Sequence, residues 1–265
     1  MAERAGRVLI IAGSDSGGGA GLQADIKTVT ALDGYAASAI TAITVQNTLG
    51  VFAVHPIPSE VVEAQARAVL DDIGADAVKI GMLGEAALAV ARLLDERPRI
   101  PLVLDPVMAA KDGVALADAR TIEIMRKHLL PRAALLTPNA PEASILTGLV
   151  IGTTDDLRRA GEALLAAGCG AVLMKGGHVP GQTVIDVLMS STGETTFEGP
   201  RIATRHTHGT GCTLASACAT GIAKGLTLTD AVARAWAYTA EAIRRAPGLG
   251  AGAGPLDHAW PLRNR

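Results

Sequence analysis

The stretch RVLIIAGSDSGGGAGLQADIKTVTALDG, residues 7–34, contains the three parts of a strand–loop–helix unit. Residues 7–13 form a continuous apolar run, which is typical of a strand that is buried on both faces of a sheet. A glycine-rich loop follows, and residues 22–34 then carry apolar residues near helical spacing and end in glycine. A buried strand that leads into a helix predicts a parallel sheet covered by helices.

Short apolar runs continue to alternate with amphipathic segments along most of the chain. The candidate strands are residues 38–46, 77–82, 101–107, 134–139, 171–177 and 184–191, with an edge strand at 195–204. The candidate helices are residues 59–74, 85–96, 118–130, 153–168, 215–225 and 228–246. This order predicts a single α/β domain over residues 1–265, with helices on both faces of a mostly parallel sheet. The glycine-rich tail from about residue 247 is expected to be poorly ordered.

The composition limits the kind of partner that the protein can have. Lys and Arg number 24 and Asp and Glu number 26, a formal net charge of −2, so no broad basic field is present for nucleic acid or anionic lipid. Residues 34–57 and 206–223 lack charged side chains but are too polar for a membrane span. Three cysteines without a Cys-x-x-Cys pair favour a reducing compartment over a disulfide framework. We therefore expect a cytoplasmic protein that binds a small molecule.

A second glycine-rich loop lies in HTHGTGCTLASAC, residues 206–218. Neither glycine loop matches a P-loop or a dinucleotide-binding fingerprint. Gly209 and Gly211 would let the backbone approach a ligand closely, and a helix that begins near Cys212 would direct unpaired N–H groups at one point. Such a point is an anion-binding site. The alternative is an ordinary tight turn that caps the helix through Thr210 or Thr213.

The thiol of Cys212 lies inside this predicted anion site. A cysteine at a helix N-terminus has a lowered pKa, so we expect a thiolate that serves as a base or a nucleophile. Beside a bound phosphate, a proton acceptor suits phosphoryl transfer to a hydroxyl group. The alternative is a small buried apolar residue, which is the interpretation we apply to Cys169 and Cys218.

Polar residues follow several predicted strands, where ligands of open α/β sheets bind. Asp105 and Glu142 are candidate ligands of a divalent cation, because Mg²⁺ prefers oxygen ligands. Asn139 and Glu142 have the alternative of capping a helix. Lys175 could contact phosphate or lie on the surface with its charge in solvent. Gln46 carries a donor and an acceptor that suit the edge of a heteroaromatic ring, and Met82 could pack on that ring, although each could equally belong to the core or a turn.

Taken together, seven motifs resemble, in order and spacing, the bacterial hydroxymethylpyrimidine and phosphomethylpyrimidine kinases of the ribokinase-like superfamily. They are GSDSGGGAGLQADIKT, AITVQNTLGV, KIGML, DPVM, TPNAPEA, LMKGGH and HTHGTGCTLASA, within residues 7–245. The resemblance implies a three-layer α/β/α fold, Mg²⁺ and a homodimer. It also implies ATP-dependent phosphorylation of 4-amino-5-hydroxymethyl-2-methylpyrimidine, and then of its monophosphate to the diphosphate, for thiamin biosynthesis.

The resemblance also assigns roles to individual residues. The pyrimidine-binding residues would be Gln46, Asp25, Val45, Met82, Val107 and Gly13. Asp105 and Glu142 would hold the metal, with Asn139 in the same Asn-x-x-Glu motif, and Lys175 and Asn139 would contact the nucleotide. Gly209, Thr210, Gly211 and Cys212 would form the catalytic loop with Cys212 as general base. One residue departs from the family pattern, since His206 stands where asparagine is expected, and this leaves no assigned nucleotide contact at His206.

Three other functions compete with this interpretation. A pyridoxal kinase is the nearest, since a similar cysteine loop acts there on a pyridine methanol, but Gln46 and Met82 favour a pyrimidine. A sensor that binds the pyrimidine without catalysis, to regulate thiamin genes, would require a basic helix or a helix-turn-helix extension, and the sequence shows neither. A sugar kinase of the superfamily would carry aspartate in place of Cys212.

Overall fold

The computed structural model describes residues 5–110 and 113–264. Within these ranges one nine-stranded sheet has the order β3-β2-β1-β4-β5-β6-β7-β8-β9. Its strands are β1 Arg7–Asp15, β2 Tyr35–Asn47, β3 Gly50–Pro56, β4 Ala77–Ile80, β5 Leu102–Leu104, β6 Ala133–Leu136, β7 Ala171–Met174, β8 Thr183–Ser190 and β9 Gly193–Pro200. The strands from β2 to β7 in this order are parallel neighbours, whereas β3, β8 and β9 pair antiparallel at the two edges.

In the described part of the chain, eight α-helices cover the sheet in two layers. They are α1 Gly21–Ala31, α2 Ser59–Asp72, α3 Ala87–Asp95, α4 Ala119–Ile124, α5 Ala140–Thr147, α6 Thr154–Ala166, α7 Thr210–Ala223 and α8 Leu228–Arg244. Successive residues of β1 enter two different cores, since Leu9 belongs to the core that includes residues of α2 to α6 and Ile10 to the core that includes residues of α1, α7 and α8. The predicted three-layer α/β/α fold with a mostly parallel sheet is therefore confirmed.

Two local features differ from the sequence predictions. The edge strand β3 was not predicted, and it forms a hairpin with β2 through the turn at Thr48 and Leu49. Helix α7 begins at Thr210, close to the predicted start near Cys212 and earlier than the candidate helix 215–225, so the whole GTGC motif lies at its first turn. In the described part of the chain, no helix has both the length and the apolar character needed to cross a bilayer.

The C-terminal tail, residues 247–258, packs against the protein instead of being poorly ordered as expected. Ala253 N–H donates to the Thr48 carbonyl oxygen at 2.9 Å, and Gly254 accepts from His208 N–H at 3.1 Å. A Cβ atom at Gly252 would lie 2.0 Å from the Thr48 oxygen, so only glycine allows this approach. The tail therefore joins the β2–β3 turn to the loop that precedes α7.

Candidate active site

A cavity of about 750 Å³ lies at the carboxyl ends of the parallel strands. Strands β1, β2, β4, β5, β6 and β7 all end toward it, because parallel strands share a direction. It brings together most of the sequence-predicted site residues, which come from many separate segments of the chain. Those that line it are Gly13, Gln46, Met82, Asp105, Val107, Asn139, Glu142, Lys175, Gly209, Thr210, Gly211 and Cys212.

The glycine loop before α7 has the geometry predicted for an anion site. Gly209 is the N-cap of α7 and has a φ of 83°, in the region that favours glycine. Gly211 and Cys212 follow in the first turn, where backbone N–H groups have no partner within a helix. A Cβ atom at Gly211 would lie 3.2 Å from Lys175 Nζ, so the main chain here directly adjoins the charged part of the cavity.

We expect Gly209→Ala to destabilise the protein far more than Gly225→Ala. Both glycines have positive φ, so alanine costs about 1–2 kcal/mol at either position. At Gly225 nothing lies within 4 Å of the added Cβ, whereas at Gly209 it would lie 1.9 Å from the Gly19 oxygen. This clash adds about 1–3 kcal/mol to the loss of unfolding free energy. It also displaces the loop of Gly209 from the loop of Gly19. Urea unfolding of both variants measures the difference, and equal losses would contradict the predicted contact.

Cys212 lies at the cavity, but its predicted low pKa is wrong. Burial raises the pKa of the Cys212 thiol to about 12, and the nearby carboxyl groups of Asp25 and Asp105 act in the same direction. Lys79 and the N–H of Gly21 favour the thiolate without offsetting these effects. The thiol is therefore protonated at neutral pH. Cys169 and Cys218 are buried in the two cores, as predicted.

Lys175 joins the two predicted metal ligands. Its Nζ lies 3.0 Å from Asp105 Oδ1 and 3.9 Å from Glu142 Oε2, and its side chain is only 12% exposed, so it is not a surface lysine. Burial raises the pKa of Glu142 to about 7, and Asp105 adds to this while Lys175 opposes it. Burial would lower the pKa of Lys175, but the two carboxylates outweigh it and hold the pKa above its ordinary value.

The Asn-x-x-Glu motif forms a capping box at the start of α5. The Asn139 side chain accepts from Glu142 N–H at 2.9 Å, and Glu142 Oε2 accepts from Asn139 N–H at 2.8 Å. The predicted helix cap is thus present, and the cap leaves both residues on the cavity wall. Within the described ranges no three His, Cys, Asp or Glu side chains form a group that could hold a metal. Two buried carboxylates facing one ammonium group are nevertheless an oxygen donor set that suits Mg²⁺ with phosphate and water ligands.

Gln46 belongs to a polar network that the sequence did not reveal. Its amide lies 3.1 Å from Thr44 Oγ1 and 3.2 Å from His208 Nε2. His208 Nε2 also lies 2.9 Å from Oδ2 of Asp15, a carboxylate that is 3% exposed at the end of β1. Asp15 lies in the motif GSDSGGGAGLQADIKT and His208 in HTHGTGCTLASA. Their position beside glycines was the only feature of the sequence that could have marked them as site residues. The packing of two distant loops brings them together.

The structure does not bring Asp25, Val45 or His206 to the cavity wall. Asp25 is fully buried, where it accepts from Lys79 Nζ at 2.8 and 2.9 Å and from Ser216 Oγ at 2.6 Å. Val45 is 49% exposed on β2. His206 lies against the tail, with its ring near Gly254. Lys79, which sequence reasoning did not select, lines the cavity instead of Asp25.

Comparison with known proteins then decides the family. Residues 15–257 match the sequence model described as phosphomethylpyrimidine kinase. The chain belongs to the phosphomethylpyrimidine kinase family. A relative from Streptomyces coelicolor, a hydroxymethylpyrimidine/phosphomethylpyrimidine kinase, is 49% identical over 257 residues, which are 96% of this chain and 95% of the relative. A Geobacter sulfurreducens bifunctional thiamine biosynthesis protein is 48% identical, and this chain spans 52% of its length.

Solved structures support the family and the fold. An ADP complex of Bacillus subtilis pyridoxal kinase has a TM-score of 0.90 and 33% identity, covering 99% of this chain and all of that one. The phosphomethylpyrimidine kinase of Clostridium difficile 630 has a TM-score of 0.80 and 42% identity, covering 89% of this chain and 99% of that one. The family member described here is therefore a kinase with the ribokinase-like fold.

Proposed function

We propose that the chain uses ATP to phosphorylate 4-amino-5-hydroxymethyl-2-methylpyrimidine and then its monophosphate, in thiamin diphosphate biosynthesis. The observation that carries this proposal is the single cavity shared by Gln46, the loop of Cys212 and the cluster around Lys175. One cavity thus contains an amide that can bind the edge of a ring, an anion site and a charged cluster. This arrangement suits transfer of a phosphoryl group to a hydroxymethyl heterocycle. The family membership supports the same substrate class.

Each part of the cavity has a role in this proposal. The ring would pack between Gly13, Met82 and Val107, with its edge at Gln46. The N–H groups of the catalytic loop and Lys175 would stabilise negative charge on the phosphoryl group, a contribution that depends on fixed donors. Asn139 would adjoin the nucleotide. Positioning of the two reactants supplies the rest of the rate enhancement. A bound Mg²⁺, held by Asp105 and Glu142, would offset charge on the phosphates.

The direct test is a steady-state assay with purified protein, ATP and Mg²⁺. We expect ADP release with the hydroxymethylpyrimidine, and successive formation of its monophosphate and diphosphate by mass spectrometry. Tight pyrimidine binding without ATP consumption would instead favour the sensor. Consumption of ATP only with sugars would favour a sugar kinase.

A pyridoxal kinase is the second candidate, because solved pyridoxal kinases match this chain with TM-scores up to 0.90. The amide of Gln46 at the cavity wall favours a ring that offers an adjacent donor and acceptor, as an aminopyrimidine does. Competition between pyridoxine and the hydroxymethylpyrimidine in one assay separates the two. We expect a higher kcat/KM for the pyrimidine.

Glu142→Gln is expected to raise the Mg²⁺ concentration needed for half-maximal activity by at least about tenfold, since a charged metal ligand is lost. Glutamine can still accept from Asn139 N–H, so the capping box and the unfolding free energy should be preserved. Activity at increasing Mg²⁺ measures the shift, with the exposed Glu123→Gln as control. An unchanged Mg²⁺ requirement would show that Glu142 serves only as a helix cap.

A homodimer in the cytoplasm completes the proposal. The β2–β3 hairpin exposes large apolar side chains at Ile43, Val45, Leu49, Phe52 and Val54, which a second copy could cover. All three cysteines are free, which suits a reducing compartment. Sedimentation of the protein should give a dimer, and Phe52→Glu should weaken it. A monomer at micromolar concentration would contradict this part of the proposal.

A further inference from the structure

His208 Nε2 lies within hydrogen-bond distance of two side chains, Asp15 and Gln46. The contact with Asp15 decides whether this nitrogen carries a hydrogen. Burial would raise the pKa of Asp15, but the hydrogen bond from His208 and the N–H groups of Ala20 and Gly17 outweigh it and lower the pKa. Asp15 is therefore a carboxylate, which can only accept. At 2.9 Å from Asp15 Oδ2, His208 Nε2 must carry the hydrogen.

The opposite side of the Gln46 amide meets a similar constraint. Thr44 Oγ1 lies 2.9 Å from the Ser14 carbonyl oxygen, which can only accept, and 3.1 Å from Gln46 Oε1. The hydroxyl has a single hydrogen, and the shorter contact directs it at the carbonyl. Thr44 therefore has lone pairs left for the amide, which suit an N–H donor.

Both neighbours thus require the same orientation of Gln46. As placed, Gln46 Nε2 lies 3.2 Å from His208 Nε2, so one donor faces another, while Gln46 Oε1 faces a hydroxyl whose hydrogen is already used. Amide oxygen and nitrogen are assigned from their hydrogen-bond partners. With the amide turned by about 180°, its nitrogen donates to Thr44, and its oxygen shares the single Nε2 hydrogen of His208 with Asp15 Oδ2 in a three-centre hydrogen bond.

We propose that His208 is a positioning residue, which fixes the orientation of the Gln46 amide and thereby the direction in which a bound aminopyrimidine is turned. The inference rests on the proposed function, because it concerns the ring that Gln46 receives. Asp15 takes part by keeping the hydrogen of His208 on Nε2.

The direction follows from the order of groups on the ring. The amino-bearing carbon of the substrate lies between a ring nitrogen and the carbon that bears the hydroxymethyl group. When the Gln46 oxygen on the His208 side accepts from the amino group, the Gln46 nitrogen on the Thr44 side donates to the ring nitrogen. The hydroxymethyl group then lies beyond the amino group, toward His208 and the loop from Gly209 to Cys212 that follows it. The opposite amide orientation turns the hydroxymethyl group away from that loop.

The first test needs no variant and no ligand. In protein labelled with ¹⁵N at histidine and glutamine, two-bond correlations report which imidazole nitrogen of His208 is protonated. We expect a proton on Nε2, and a nuclear Overhauser effect from the Gln46 amide hydrogens to Thr44. An imidazole protonated only at Nδ1 would overturn the proposal, whatever the enzyme phosphorylates.

The second test measures discrimination. The probe is the analogue in which the 4-amino group is replaced by a carbonyl and the neighbouring ring nitrogen carries hydrogen, which reverses the donor and acceptor pattern. We expect His208→Leu to reduce the preference in kcat/KM for the amino substrate by about tenfold or more, one hydrogen bond's effect. His208→Gln, which keeps an N–H donor, should retain more of it.

The exposed His128→Leu is the matched control and should leave the preference unchanged. Equal losses for both substrates in His208→Leu would show a purely structural role and overturn the proposal. If the unmodified protein phosphorylates neither pyrimidine, the proposed function fails, and the protonation state of His208 still decides the amide orientation separately.

Discussion

Replacing Cys212 by alanine is expected to lower kcat for the hydroxymethylpyrimidine by about 10²–10⁴-fold, the usual contribution of a general base. Pyrimidine affinity should remain nearly unchanged, because the proposed ring contacts are Gln46, Met82 and Val107. The second phosphorylation should lose less, since its acceptor is already an anion at neutral pH. Rates of the two half-reactions, measured separately, provide the comparison.

The raised pKa of Cys212 adds a pH dependence to this expectation. With a pKa of about 12, the thiol is protonated below that value, and the thiolate fraction grows about tenfold for each unit of rising pH. If the thiolate takes the substrate proton, the first half-reaction accelerates from pH 7 to 9 and the second does not. A first half-reaction that is flat over this range would contradict a thiolate base.

Cys218→Ala is the matched control for these measurements. Cys218 lies on the same helix and is fully buried away from the cavity, so its loss tests only packing. We expect normal kinetics in both half-reactions. Equal losses of both half-reactions in Cys212→Ala would contradict the assignment of Cys212 to the first step alone.

The second large effect concerns the ion pair between Lys79 on β4 and Asp25 on α1. Both side chains are 0% exposed, and Nζ lies 2.8 Å from Asp25 Oδ2. Lys79→Met would leave a buried carboxylate without its cation, which costs about 3–5 kcal/mol of unfolding free energy. Urea unfolding measures this loss. Lys79 also favours the Cys212 thiolate, so the same variant should raise the pKa of that thiol further.

The double variant Lys79→Met/Asp25→Leu separates pairing from packing. With both charges gone, no buried charge is left unpaired, and much of the lost stability should return. Arg67→Met, which breaks an exposed ion pair with Glu96, is the surface control and should change stability far less. A double variant as unstable as Lys79→Met would show that packing, rather than charge, explains the loss.

The sequence predicted the layers of the fold, and most of the site residues that it predicted line the cavity. Parallel strands place the residues that follow them at one edge, so Asp105, Asn139 and Lys175 had to converge once the strand pattern was recognised. The helix start at Thr210–Cys212 was likewise predictable from two glycines before an apolar helix. These successes rest on local patterns that tertiary packing does not reverse.

What the sequence missed depends on contacts between distant segments. Nothing local shows that Asp25 turns toward Lys79 and Ser216 instead of toward the cavity. The raised pKa of Cys212 follows from burial beside carboxylates on other elements, which outweighs its place at a helix N-terminus. The pairing of His208 with Asp15 joins residues 193 positions apart.

The glycines of the tail from 247 to 258 suggested backbone flexibility, whereas in the structure they permit close contact with Thr48 and His206. In chain order this tail follows every segment that lines the cavity. During translation the sheet can therefore form while the ribosome still holds the tail, since domains begin to fold from the N-terminal side. The loop before α7 acquires its hydrogen bond to Gly254 only after this later segment has emerged, so we expect the loop to reach its final geometry after the sheet has formed.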